Sequence, residues 1–175
     1  MWRKAHRLVT AFALLCFTSS CGDSDKPGGH GQTDSLGRLT GYSDCKSGGL
    51  ATSLTGRPTG EDCIEYDHDS VSTLLLTHVN AGFNCCPDSL TAEIRITEDS
   101  IIISETELLT NPCDCLCLFD LDYEITNLPP GTYTIRVNEL NLQEGDEILE
   151  FTVDLSASPS DEHCLSRNHY PWGTP

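Results

Sequence analysis

The sequence predicts an all-β protein, an antiparallel β-sandwich that is stabilised by disulfide bonds. Short runs of alternating or β-branched residues recur through the second half of the chain, bounded by Pro, Gly, Asn and Asp. No window shows a convincing apolar period of 3.6, and no gap reads as the helix that would connect parallel strands. Ten cysteines in 175 residues point to an oxidising compartment.

Residues 1–20 are predicted to be a lipoprotein signal peptide. Three basic residues precede the apolar run Leu8–Phe17, which is too short to span a bilayer and is typical of a signal-peptide core. Small residues then lead to Cys21. A small residue before such a cysteine resembles the bacterial lipobox, which implies that the Cys21 thiol receives a lipid and becomes the mature N-terminus. The alternative is an ordinary secretory signal that is cut nearby.

Residues 21–43 are predicted to be a flexible, lipid-anchored tether, because they are rich in Gly, Ser and Asp and poor in apolar groups. Gly22 follows the lipid cysteine, where inner-membrane lipoproteins of Gram-negative bacteria usually carry Asp. By that resemblance we expect the outer membrane, with the lipid as the only link between protein and membrane.

Residues 44–175 are predicted to form one β-sandwich domain of immunoglobulin-like or Greek-key type. Its first part, Cys45 to Cys63, is glycine-rich and reads as a loop closed by a disulfide between its two end cysteines. Six strands are predicted to follow: Ser72–Asn80, Thr91–Thr97, Ser100–Leu108, Cys117–Thr126, a run that ends at Val137 after the turn at 127–131, and Glu147–Leu155.

Four motifs carry a resemblance to a family: NAGFNCCPD, CDCLCLFDLDYEI, NLPPGTYTIRV and HYPWG. Together they resemble an uncharacterised group of small, cysteine-rich bacterial lipoproteins. The resemblance covers about Cys63 to Gly173. It implies a place in the cell envelope and an immunoglobulin-like sandwich, and it implies no activity.

Eight cysteines remain for pairing once Cys16 leaves with the signal peptide and Cys21 takes the lipid. The three at every second position share one face of a strand, about 6.5–7 Å apart, whereas bonded Cβ atoms approach to about 4 Å. They therefore need external partners and are predicted to point into the sandwich. If Cys45 pairs with Cys63, three cysteines are left as partners for the three on the strand. Cys113, Cys115 and Cys117 are then predicted to bond to Cys85, Cys86 and Cys164.

The alternative for the cysteines is a metal site. Thiolates of Cys85, Cys86, Cys113, Cys115 and Cys117 have the chemistry to bind zinc or copper(I). The spacing lacks the C-x-x-C pair that presents two thiolates to one ion, and this favours disulfides. The same absence argues against a redox centre. The sequence accordingly predicts no cofactor, with zinc or copper as the alternative.

Other polar residues offer weaker signals. Asp120, Asp122 and Glu124 share the opposite face of the cysteine-bearing strand and are predicted to be solvated, because a calcium site there needs help from a neighbouring strand. His78 lies in an apolar strand and is predicted to be satisfied within the packing. No metal-binding or catalytic spacing occurs among three further histidines, His68, His163 and His169.

Charge and motifs limit the function. The chain carries a formal charge of −17, and residues 1–20 hold three of its ten basic residues and none of its 27 acids. Such an acidic surface repels phosphate backbones and excludes nucleic acid as a partner. No nucleophile motif or phosphate loop occurs, so no enzyme is predicted. We expect a lipid-anchored envelope protein, a structural or binding module for another envelope protein or an extracellular ligand. The alternative is a periplasmic metal-binding protein that uses the cysteine cluster.

Overall fold

A computed structural model describes residues 35–46 and 57–173, and nine β-strands lie within these residues. Their order follows the chain. The strands are β1 (Leu36–Tyr42), β2 (Glu61–His68), β3 (Leu74–Asn84), β4 (Ser89–Ile96), β5 (Ser100–Leu108), β6 (Leu116–Thr126), β7 (Thr132–Asn138), β8 (Glu150–Asp154) and β9 (Ser160–Ser166).

The strands form two sheets that make a β-sandwich. The order is β1-β6-β3-β2-β9 in the five-stranded sheet and β4-β5-β7-β8 in the four-stranded sheet. Every neighbouring pair is antiparallel except β5 and β7, which run parallel. The chain leaves β5, forms β6 in the other sheet and returns to β7, so a strand rather than a helix supplies the crossover. The predicted sandwich is confirmed, and one parallel pair corrects its purely antiparallel form.

The core lies between the sheets and is filled by alternate side chains of each strand. β5 turns Ile101 and Ile103 inward, and β7 turns Ile135 and Val137 inward, as the period of two in β7 predicts. From the five-stranded sheet, alternate residues of β6 from Phe119 to Ile125 meet them. Each fully buried side chain of this size contributes about 1.5–3 kcal/mol relative to an exposed one. The six predicted strands are all present, β5 with the predicted bounds.

β1 corrects the predicted tether. It falls inside residues 21–43, yet it pairs with β6 along its length as an edge strand. Its backbone hydrogen bonds, rather than a large apolar face, hold it there. Gly37 allows β1 to approach β4, since a Cβ atom at this position would lie 2.6 Å from Ile94 Cγ2. The rest of the tether, the signal peptide and Cys21 lie outside the described residues.

β2 and β9 are further strands that the sequence did not predict. They pair with each other in antiparallel register, and β2 also pairs with β3. Their outward positions carry many acids, which masks the alternation of their inward residues. In the described part of the chain, no helix has the length and apolar character needed to cross a bilayer.

Candidate functional site

Four disulfides join all eight cysteines from residue 45 to residue 164. Two of them tie the turn after β3 to the connection between β5 and β6. The other two lie on the five-stranded sheet. One joins β6 to the segment that follows β1, and the other joins β2 to β9. The pairs are Cys45–Cys117, Cys63–Cys164, Cys85–Cys115 and Cys86–Cys113, with Cα–Cα distances of 5.7, 4.1, 5.6 and 5.6 Å.

This connectivity corrects part of the predicted pairing. Bonds from the cysteines at 113 and 115 to Cys85 and Cys86 agree with the prediction, but Cys45 does not bond to Cys63. The reason is strand order. Cys63 on β2 lies in register with Cys164 on β9, while β6 and β3 separate β1 from β2 and bring Cys45 beside Cys117.

The three alternating cysteines also differ in exposure from the prediction. β6 begins at Leu116, so only Cys117 points into the sandwich, while Cys113 is half-buried and Cys115 is exposed. The metal alternative on Cys85, Cys86, Cys113, Cys115 and Cys117 is wrong for this structure, because sulfurs bonded to one another offer no thiolate to zinc or copper.

Charged side chains form a second cluster inside the core, at positions where the strand pattern calls for apolar residues. Asp62 lies two positions before a buried isoleucine on β2, and His78 lies two positions after a buried leucine on β3. Glu105 follows a buried isoleucine by two on β5, and Glu139 follows a buried valine by two where β7 ends. Arg167 comes directly after β9. We call these five residues the buried network.

His78 lies between two carboxylates. Its Nδ1 is 2.6 Å from Glu105 Oε1, and its Nε2 is 2.8 Å from Asp62 Oδ1. The Tyr123 hydroxyl donates a hydrogen bond of 2.6 Å to the same Glu105 oxygen. His78 and Asp62 have no solvent-exposed surface, so a ligand in solution reaches the imidazole only if the structure opens.

Arg167 holds the other side of the network. Its Nε donates to Asp62 Oδ2 at 2.8 Å and its Nη2 donates to Glu139 Oε2 at 2.9 Å, while Nη1 donates to the Glu147 carbonyl at 2.6 Å. The guanidinium carbon lies 5.6 Å from the ring centre of Trp172, a cation–π arrangement. The Arg167 and Glu139 side chains are 2% and 3% exposed, so these ion pairs are as buried as apolar core residues.

Burial and charge act against each other on the pKa values of this network. Burial lowers the pKa of His78, but the charges of Glu105 and Asp62 and the hydrogen bonds to them outweigh it and hold the pKa well above its ordinary value. Burial raises the pKa of Asp62, and His78 and Arg167 reverse that shift and lower it. Burial and the nearby Asp62 charge raise the pKa of Glu139 to about 8, against the pull of His78 and Arg167.

No family model, curated protein or solved structure matches this chain.

A β-bulge on β3 connects the network to the end of the chain. The register between β3 and β6 shifts between His78 and Ala81, and Asn80 has a φ of 67°, a left-handed conformation that asparagine tolerates. The Asn80 side chain donates to the backbone carbonyls of Pro58 and Glu61. The backbone carbonyl of Asn80 accepts a 2.6 Å hydrogen bond from Trp172 Nε1. The bulge thus places the indole that covers Arg167.

The acids on the outer face of β6 do not converge on one point. Asp120 pairs with Lys46, Glu124 pairs with Arg38, and Asp122 accepts a hydrogen bond from Thr77 at 2.8 Å. Each carboxylate thus has its own neighbour. This arrangement fits the predicted outer surface better than a shared calcium site.

Three further histidines in the described part of the chain have partners outside the five residues of the buried network. His68 is buried, and its Nδ1 accepts a bond from the Ser70 amide while its Nε2 donates to the Leu128 carbonyl. His169 contacts Asp146, and the His163 ring stacks on Phe151.

Sequence reasoning found His78 but missed its partners. The sequence did hold one signal for these partners, which is their position in the alternation of each strand. Glu105 continues the inward series of Ile101 and Ile103, and Glu139 continues that of Ile135 and Val137. A charged residue in an inward position needs a buried partner, because an unpaired charge in the core is costly.

Proposed function

We propose that this protein is a non-catalytic envelope protein, held to the membrane by a lipid on Cys21, that acts as a structural or binding module. Its partner is another envelope protein or an extracellular ligand. The supports are the leader of residues 1–20, whose apolar run lies shortly before Cys21, and the acidic composition, which leaves the lipid as the means of membrane attachment.

The observation that carries the proposal is the set of four disulfides. Such bonds form and persist outside the reducing cytoplasm. A chain whose cysteines from 45 to 164 all lie at bonding distance is suited to export, and export is what residues 1–20 are predicted to direct.

Lipid attachment is tested by expressing the whole chain in a Gram-negative host fed a fatty acid that carries an alkyne. We expect the label on the protein and the protein in the membrane fraction. Cys21→Ser should abolish both, whereas Cys16→Ser, in the leader, should leave the label unchanged. Label that persists in Cys21→Ser would show that the lipid site is wrong.

Location within the envelope is tested by a single substitution. The unaltered chain should sediment with outer membranes, and Gly22→Asp should move it to inner membranes. An unaltered chain in the inner-membrane fraction would contradict the predicted location.

The thiol state is tested by intact mass. Alkylation of the folded, unreduced protein should add nothing, and alkylation after denaturation and reduction should modify all the cysteines from 45 to 164. Thiols that react before reduction would contradict the disulfide-based proposal.

A further inference from the structure

We infer that Asp62, His78 and Glu139 form a binding site for one divalent transition-metal ion of the zinc type. One oxygen of each carboxylate and one imidazole nitrogen lie within 4.8 Å of one another. This inference goes beyond the proposed function and does not involve the cysteines.

The imidazole is oriented as a metal ligand would be. Its Nδ1 lies 2.6 Å from Glu105 Oε1, and that oxygen also accepts the Tyr123 hydroxyl bond. Histidines that bind metal through one nitrogen commonly donate the other N–H to a carboxylate, which fixes the ring and raises its basicity. Glu105 has this supporting position, and Nε2 faces the oxygen of Asp62.

Asp62 and Glu139 each direct one carboxylate oxygen to Arg167 and keep the other oxygen for the site. Arg167 donates to Asp62 Oδ2 and to Glu139 Oε2. Asp62 Oδ1 faces His78, and Glu139 Oε1 is buried without a hydrogen-bond partner among residues 35–46 and 57–173. A buried carboxylate oxygen without a partner is costly, and a cation beside it removes that cost.

Size and charge fit a zinc-type ion. Ligand atoms about 2.1 Å from a tetrahedral ion lie about 3.4 Å from one another. The 2.8 Å between Asp62 Oδ1 and His78 Nε2 then has to open by roughly half an ångström. Binding displaces the proton on His78 Nε2 and the proton on the Glu139 carboxyl group, and the doubly charged ion and one guanidinium then balance the three carboxylates of the buried network.

The mixed ligand set selects among cations. Imidazole nitrogen suits zinc, cobalt and related ions, whereas calcium and magnesium prefer oxygen alone. The site is shut off from solvent, so we expect the ion to enter as the chain folds and to exchange slowly afterwards.

The test uses the mature protein with its disulfides intact, unfolded in denaturant with a chelator and refolded with zinc, cobalt or calcium. After gel filtration, we expect one zinc per chain, a higher unfolding temperature with zinc, visible absorption bands with cobalt, and no effect of calcium. Absence of bound zinc, or zinc in excess of one per chain without a rise in unfolding temperature, would overturn the site.

Two substitutions in one loop separate this site from adventitious zinc on surface histidines. Glu139→Gln removes a ligand charge and keeps the side-chain size, and we expect zinc affinity to fall at least tenfold, with the fold retained. Glu144→Gln removes an exposed charge nearby and should leave zinc affinity unchanged. Equal affinity of the two variants would overturn the site and would leave the lipid-anchoring proposal unaffected.

Discussion

Arg167 is the residue whose replacement most directly measures what the buried network contributes to stability. Arg167→Met keeps much of the length of the side chain and removes its charge. The substitution deletes the ion pairs with Asp62 and Glu139 and the hydrogen bond to the Glu147 carbonyl. The aliphatic part of the new side chain can still cover Trp172, so the loss reports mainly on charge.

The expected loss follows from burial. The side chains of Arg167, Asp62 and Glu139 are all at most 3% exposed. Breaking a buried ion pair by removing one partner costs about 3–5 kcal/mol, because the remaining charge is left without compensation. We expect a fall of this size in the free energy of unfolding, out of a typical total of about 5–15 kcal/mol for a domain.

The assay is equilibrium unfolding in guanidinium chloride, without reductant and with a chelator, followed by circular dichroism. The matched control is Arg136→Met. Arg136 pairs with Glu150 at 3.1 Å, but these side chains are 39% and 45% exposed, and an exposed pair contributes about 0–1 kcal/mol. The view that the network stabilises the fold would be refuted if Arg167→Met lowered the free energy of unfolding no more than Arg136→Met does. The comparison holds when the slope of that free energy against denaturant concentration is the same in both variants.

Two further predictions concern single side chains. The raised pKa of Glu139, about 8 against 4.5 in the unfolded chain, means that its contribution is fully present below about pH 4.5 and is lost as pH rises through about 8. Metal-free protein should therefore lose stability over that range, and Glu139→Gln should lose less; parallel pH curves for the two proteins would contradict this. Gly82→Ala places a Cβ atom 2.9 Å from Trp172 Cη2, so we expect a loss of about 1–3 kcal/mol. Gly41→Ala meets nothing within 4 Å and should change stability by less than about 0.5 kcal/mol; similar melting temperatures for the two alanine variants would disprove the close contact.

Period-two alternation predicted the strands that bury one face and expose the other. β7 shows this most clearly, because its inward Tyr133, Ile135 and Val137 alternate with outward polar residues and leave little choice of phase. β1 escaped prediction because its glycines and polar residues contribute little to the core, and β6 supplies its hydrogen bonds. Because β6 is far from β1 along the chain, these hydrogen bonds leave no pattern in the sequence of β1 itself.

The pairing of cysteines and the partners of His78 depend on which strands are neighbours. The distance argument for Cys113, Cys115 and Cys117 correctly required external partners, since it used only strand geometry. Whether Cys117 bonds to Cys45 or to Cys164 depends on the order of the strands in the sheet, which the sequence does not reveal. In the same way, Glu105 reaches His78 only because the two sheets face each other at that position.

The Cys63–Cys164 bond also determines how the oxidised protein responds to a pulling force. The shortest covalent path from Cys45 to Gly173 runs to Cys63, across the bond, and on from Cys164. That path holds about 27 residues and extends to roughly 95 Å, whereas the reduced chain between the same points extends to roughly 450 Å. Strands β3 to β8 lie inside the bypassed loop and cannot be drawn out end to end while that bond is intact, although the Cys45–Cys117 bond joins the pulled residue directly to β6. A molecule pulled at Cys45 and Gly173 therefore lengthens little until it is reduced.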